Sequence, residues 1–339
     1  LNLLKKRFLG NFIWSLKKIK MKITINLLLA IAFFGIESHV SANNWHYETF
    51  DSNPMSRGWS IHGDKSLFNW NENSKSLQVI WDSEKPNSFF YKPLGLVLTE
   101  SDSFAFTFQI TLDSVKAGYL EGKPYSFEVS LGLLNLASAK VKGFDRGTGL
   151  DSPNLVEWDY FPDTGFGATV SPALASDKSE FSAGFTFPAE LLIGKTYSVK
   201  LSFNAEEKLL KTDMLENGKL WEKIAEVKMG SDFSGFFVDA FSISNFSAKD
   251  SESSLLAIGT VDDIAITSSG SLPSLIGMKT NDSEWQAKTF LYDSNKWKIE
   301  GSGDFRSWNQ LDLDFESVNF FQYLQNPTNK GIQFYRLSH

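Results

Sequence analysis

Apolar side chains recur at every second position along most of this chain, a period that belongs to strands and not to helices. Phe104-Ala105-Phe106-Thr107-Phe108-Gln109-Ile110-Thr111-Leu112 sets large apolar residues on alternate positions. Tyr197-Ser198-Val199-Lys200-Leu201-Ser202-Phe203 and Phe127-Glu128-Val129-Ser130-Leu131 do the same, and Leu77-Gln78-Val79-Ile80-Trp81 does so in part. Successive strand side chains point to opposite faces, so each segment offers one face to a core and the other to water or a groove. From Asn43 to about Thr267 no convincing long amphipathic helix interrupts the series. Asn217-Gly218, between Met214-Leu215 and Leu220-Trp221, is a hairpin signal, because its turn needs positive φ at both central residues. Val261 to Ile266 closes the series as a final strand. The pattern predicts an all-β, two-sheet antiparallel sandwich over residues 43–267.

The 339 residues are enough for one large β core and a small second unit. With 30 Phe, 10 Trp and 9 Tyr against 10 Pro, the chain is a folded one, not a low-complexity one. The absence of Cys excludes disulfides and thiolate metal sites. Met21-Lys22, the apolar run Ile23 to Ile36 and the small residues Val40-Ser41-Ala42 predict a signal peptide cleaved near Ala42. The apolar core is short for a membrane span. Residues 1–20 precede the first Met and are expected to be an upstream extension. Setting aside residues 1–42 changes the net charge from −7 to −13, through seven basic residues and Glu37. A secreted, periplasmic or cell-surface protein of that sign has no footprint for nucleic acid or anionic membranes. Phe334 to His339 predicts no C-terminal transmembrane anchor.

Ser268-Ser269-Gly270-Ser271-Leu272-Pro273-Ser274 opens an expected linker, 268–283, by its composition. Residues 284–339 are expected to form a small C-terminal β module that leans on the larger domain, with Trp285, Trp297, Trp308 and Phe320-Phe321 spaced along short strand-like runs.

The chemistry concentrates in Leu155-Val156-Glu157-Trp158-Asp159-Tyr160-Phe161-Pro162. As a strand, this segment puts Glu157, Asp159 and Phe161 on one face and Trp158 and Tyr160 on the other, the latter two expected in the core between the sheets. Pro162 ends central pairing and leaves Asp163 in the following turn. Two acids among aromatics suit sugar contacts, through carboxylate–hydroxyl bonds and ring faces stacked on C–H surfaces, and equally suit a solvated strand face. Glu157, Asp159, Arg146 and Trp81 are the candidate ligand-binding residues. Asp151, Asn154, Asp159 and Asp163 are hard oxygen donors near one strand, which makes calcium the one candidate cofactor, although no fixed-spacing calcium loop is present. With His46, His62 and His339 alone beyond Ala42, a His-based zinc site or a Ser/His/Asp triad has few members to draw on. Gly147-Thr148-Gly149 lacks the strand-to-helix context of a phosphate loop.

Phe50-Asp51-Ser52, Gly58-Trp59, Gly63-Asp64, Phe68-Asn69-Trp70 and Leu77 to Asp82, followed by Leu155 to Thr169, the Asn217-Gly218 hairpin and Val261-Asp262-Asp263-Ile264, resemble the concanavalin A-like lectin/glucanase superfamily. The likeness is to a laminin G-like jelly roll in a form found in secreted bacterial proteins. It implies a jelly-roll sandwich with one concave sheet, over residues 43–267, and does not select among lectins, hydrolases and adhesive modules. Glu157 and Asp159 match the nucleophile and helper positions of laminarinase-like glucanases within it. Phe161-Pro162 stand where the acid/base Glu belongs, so the usual double displacement lacks its proton donor. Asp304-Phe305-Arg306-Ser307-Trp308 and Phe334-Tyr335-Arg336-Leu337 resemble a short β module that ends many exported proteins, implying a sorting or surface-docking role. The expectation is a non-catalytic protein that binds a polysaccharide or cell-surface glycan; the alternatives are a divergent or degenerate glycoside hydrolase and a structural or adhesive envelope protein.

Overall fold

Two large sheets account for most of the structure, a computed structural model that describes residues 47–144, 146, 152–269, 276–280, 284–290, 298–302, 304, 306–311, 315–327 and 334–338. By internal contacts the chain divides after Asn43, and all described residues belong to the unit Asn44–His339. The expected signal peptide and upstream extension lie outside the described residues, as do Gly147-Thr148-Gly149.

The first sheet has ten strands. Its main path runs Lys219–Lys223, Leu209–Glu216, Thr196–Asn204, Phe104–Ala117, Ser253–Ser268, Ser76–Asp82, Phe68–Asn71. The second has seven, in the order Phe181–Ala183, Thr169–Ala175, Leu155–Phe161, Val129–Leu134, Phe237–Asn245, Ser88–Thr99, Ser60–His62. Pairing is antiparallel along both paths. This is a two-sheet antiparallel jelly-roll sandwich. The Asn217-Gly218 hairpin forms as the sequence predicts, with φ of 50° and 73° joining Leu209–Glu216 to Lys219–Lys223.

The inner faces meet through aromatic rings. Phe106 of the first sheet meets Phe241 of the second at 5.7 Å, and Phe108 meets Trp158 at 5.5 Å, both edge-on. Trp59 stacks on Phe90 at 4.8 Å. Such pairs add to the area term that drives burial.

The outer face of Phe104–Ala117 is not left to water. Ala105 and Ala265 are fully buried against Phe290 and Phe321, with Tyr47 alongside. The described C-terminal residues form two further small sheets, of four and three strands. Within the expected linker, Ile276–Thr280 is a strand paired with Glu284–Thr289.

Candidate functional site

Trp158 and Tyr160 lie in the core, their rings stacked 6.1 Å apart, so alternation sends Glu157 and Asp159 to the outer face of the seven-stranded sheet. On the flanking strands Ser130 and Ser171 lie opposite Asp159, while Gly132 and Ala173 lie opposite Glu157. The strand ends at Phe161, before Pro162, and Asp163 sits in the turn, its Oδ1 accepting from the Gly165 amide at 2.9 Å.

An open acidic groove does not result. The connection from Val129–Leu134 to Leu155–Phe161 begins with the short helix Leu136–Ala139, and Phe144 and Arg146 lie over the outer face. There Phe144 meets Phe89 and Phe246 at 6.2 Å each. Two residues further on, Arg146 reaches the acids. Its Nε donates to Glu157 Oε2 at 3.1 Å and its second terminal nitrogen donates to Asp159 Oδ2 at 2.6 Å. The guanidinium lies 5.5 Å from the Phe181 ring centroid and 5.9 Å from that of Phe246. Asp159 Oδ1 also accepts from the Ser130 hydroxyl at 2.6 Å. Glu157 and Asp159 are each 1% exposed.

A third carboxylate, which sequence reasoning did not single out, completes the cluster. Glu128 is buried just before Val129–Leu134, its Oε1 3.5 Å from Arg146 Nε and without a hydrogen-bond partner among the described residues. The signal was visible: Glu128 has the parity of Ser130 and Gly132, but which strand paired with Leu155–Phe161 was not.

Three acids around one guanidinium leave a formal charge of −2 if all ionise. Buried excess charge is costly, so the cluster takes up protons. Burial pushes the Glu128 carboxyl up to about 8, against the attraction of Arg146 and with the aid of Asp159. Burial likewise raises Glu157 well above the usual range and outweighs Arg146 and the Ser130 hydroxyl at Asp159. For Arg146 burial opposes the charge, but the Glu128, Asp159 and Glu157 carboxylates together hold it above its ordinary value.

A cavity of about 610 Å³ opens over this cluster. Tyr125, Phe127, Phe161, Phe181 and Phe185 contribute its walls, with Glu128, Arg146 and Asp159 also lining it. Tyr125 and Phe185 are 60% and 58% exposed, so the aromatic rim faces solvent. Ser126, Ser171, Ser251, Glu252 and Ser253 add polar groups. Glu157 lies beside Arg146 but does not line the cavity.

Trp81 is not part of this site. It belongs to the ten-stranded sheet, opposite Ala257, and is 1% exposed in the core between the sheets. Of the calcium candidates, Asp151 lies outside the described residues. Asn154 is engaged by the Phe237 amide at 3.0 Å, and Asp159 by Arg146 and Ser130. Among the described residues no group of three or more His, Cys, Asp or Glu is arranged to hold a metal ion. No described helix is long and apolar enough to cross a membrane.

No family model matches the chain, and no curated protein matches it. Solved structures similar to it include a legume lectin-like domain from Entamoeba histolytica, with 10% identity over 65% of this chain and 95% of that one, TM-score 0.40. Peanut lectin with a nonapeptide shows 12% identity over 66% and 98%, TM-score 0.39. A Bacillus subtilis protein with a galectin-like fold shows 12% identity over 65% and 94%, TM-score 0.39. The fold assignment rests on the strand order above. Fold and site together define a jelly-roll sandwich with an acid-floored, aromatic-walled cavity on the outer face of its seven-stranded sheet.

Proposed function

We propose that the protein is a non-catalytic binder of carbohydrate and that the cavity over Arg146 is its binding site. The observation that carries this reading is the pairing of five aromatic walls with a polar floor in one cavity of about 610 Å³. Rings accept the C–H faces of sugars, while carboxyls, serines and the guanidinium exchange hydrogen bonds with hydroxyls. Asp159, Arg146 and Glu128 are the floor residues of the proposal; Glu157 supports them by holding Arg146 in place. Trp81 has no role in it. The N-terminal signal-peptide pattern supports export, so the ligand is proposed to be a polysaccharide or cell-surface glycan. Recovery of the protein in the cytoplasm with residues 21–42 uncleaved would contradict export.

Hydrolysis is the second reading, because Glu128 supplies a protonated carboxyl that the local sequence lacks after Glu157 and Asp159. Binding is favoured over it on geometry. A nucleophile must reach the anomeric carbon, and Glu157 does not line the cavity.

Calorimetric titration with soluble polysaccharides, together with a glycan array, tests the proposal. At least one glycan is expected to bind, and Phe185→Ala, a change at an exposed wall, is expected to weaken binding about tenfold or more with an unaltered unfolding transition. Absence of binding to every glycan sinks the reading. Release of reducing sugar by the wild type, lost in Glu128→Gln, would move the protein to the hydrolases.

A further inference from the structure

Charge around the cavity is lopsided. Glu128, Asp159 and Glu252 line it, against Arg146 as the one cation among the described lining residues. Glu157 takes a further share of the same guanidinium at 3.1 Å. Arg146 is thus already claimed by its own carboxylates and is not free to receive an anion. Glu128 Oε1, by contrast, is buried without a hydrogen-bond partner among the described residues and belongs to a side chain lining the cavity. A buried polar atom in that state favours a ligand that supplies its missing hydrogen bond or counter-charge.

The walls narrow the choice. Aromatic faces attract cations as well as C–H surfaces, and carboxylates with ring faces are together the chemistry that holds an ammonium group. A hydroxyl leaves the protons of the cluster where they are; an ammonium replaces one of them as the counter-charge, so Glu128 ionises as the cation binds. Glu252, exposed at the rim, extends the same sign of charge outward from the floor.

We infer that the cavity selects a ligand bearing an ammonium group, in the form of an unacetylated amino sugar whose nitrogen approaches Glu128 and Asp159 while its ring lies against Phe161 and Phe185. This rests on the glycan-binding reading above and names the class of glycan.

The test is calorimetric titration of the full chain at pH 6, where such amines are charged, with four probes: β-1,4-linked glucosamine tetramer, N-acetylglucosamine tetramer, glucose tetramer, and spermidine as a cation without a sugar ring. The glucosamine tetramer is expected to bind at least about tenfold more tightly than either neutral tetramer. Glu128→Gln is expected to erase most of that advantage. Should Glu128→Gln fail to fold, Glu252→Gln, at an exposed position, reads the same preference and is expected to reduce it. Equal or tighter binding of a neutral tetramer overturns the inference and leaves the glycan reading standing. A preference unchanged in both variants also overturns it. Binding of spermidine with no tetramer bound, or binding of none of the four, overturns the inference, and no response on the glycan array then sinks the glycan reading as well.

Discussion

Glu128 holds a proton that its unfolded counterpart gives up. Burial raises its carboxyl from 4.5 to about 8, more than Arg146 pulls it down, and Asp159 adds to the rise. Between those values the native state binds more protons than the unfolded chain, so stability must fall as pH rises. The contribution is fully present below about 4.5 and is lost by about 8, with a slope of at most about 1.4 kcal/mol per pH unit for one proton. Glu157 and Asp159 are shifted in the same direction and add with the same sign. Urea unfolding at pH 5, 6.5 and 8 should therefore give decreasing stability, and Glu128→Gln should flatten the profile. Stability that rises through this window would contradict the assignment. Not all of this was hidden in the sequence. The shared face of Glu157 and Asp159 is legible from alternation alone. So is the burial of Trp81, which has the parity of Leu77 and Val79 and goes with them into the core. Residue type alone marks Trp81 as a ligand contact; its phase in the strand marks it as core.

Strand pairing decides what those phases mean. Gly132 lies opposite Glu157 in the Val129–Leu134 strand, and an added Cβ there would come within 2.3 Å of Val156 O and 2.7 Å of Glu157 Cα. The missing side chain is what lets the two strands approach with a buried acid between them. Gly132→Ala is expected to force the strands apart and lower stability by about 1–3 kcal/mol, read as a loss in thermal and urea midpoints. A wild-type midpoint would show that the strands yield at no cost. The Asn217-Gly218 hairpin and the end of Leu155–Phe161 before Pro162 were legible because turn and proline chemistry act over a few residues. The passage of Phe144 and Arg146 over the outer face was not, since nothing near Arg146 in sequence marks it as the partner of acids eleven and thirteen residues away.

At the level of the whole molecule, the expectation that the C-terminal residues lean on the sandwich has a physical counterpart at Asp263. A bulge in Ser253–Ser268 gives Asp263 a φ of 48°. Its carboxylate accepts from Gln109 at 2.8 Å and from Tyr47, and lies 3.4 Å from Lys288 Nζ. Lys288 also stands 4.1 Å from the Tyr47 ring centroid and 4.7 Å from that of Phe321. Lys288→Ala is expected to speed amide exchange in Glu284–Thr289 several-fold and leave Phe104–Ala117 unchanged. Equal exchange in both forms would remove this contact as the tie.

The sequence alone settled the strand period, the antiparallel two-sheet class, the turn positions and the sharing of one face by Glu157 and Asp159. Each of these follows from side-chain alternation or from backbone restrictions that operate over a few residues. The tertiary structure alone decided that the acids are buried under Arg146, that Glu128 joins them, and that five aromatics from separate strands and loops enclose one cavity. Those facts depend on which strands pair and on what Arg146 meets, and pairing between distant segments is set by the free energy of the whole core, not by any local stretch of chain.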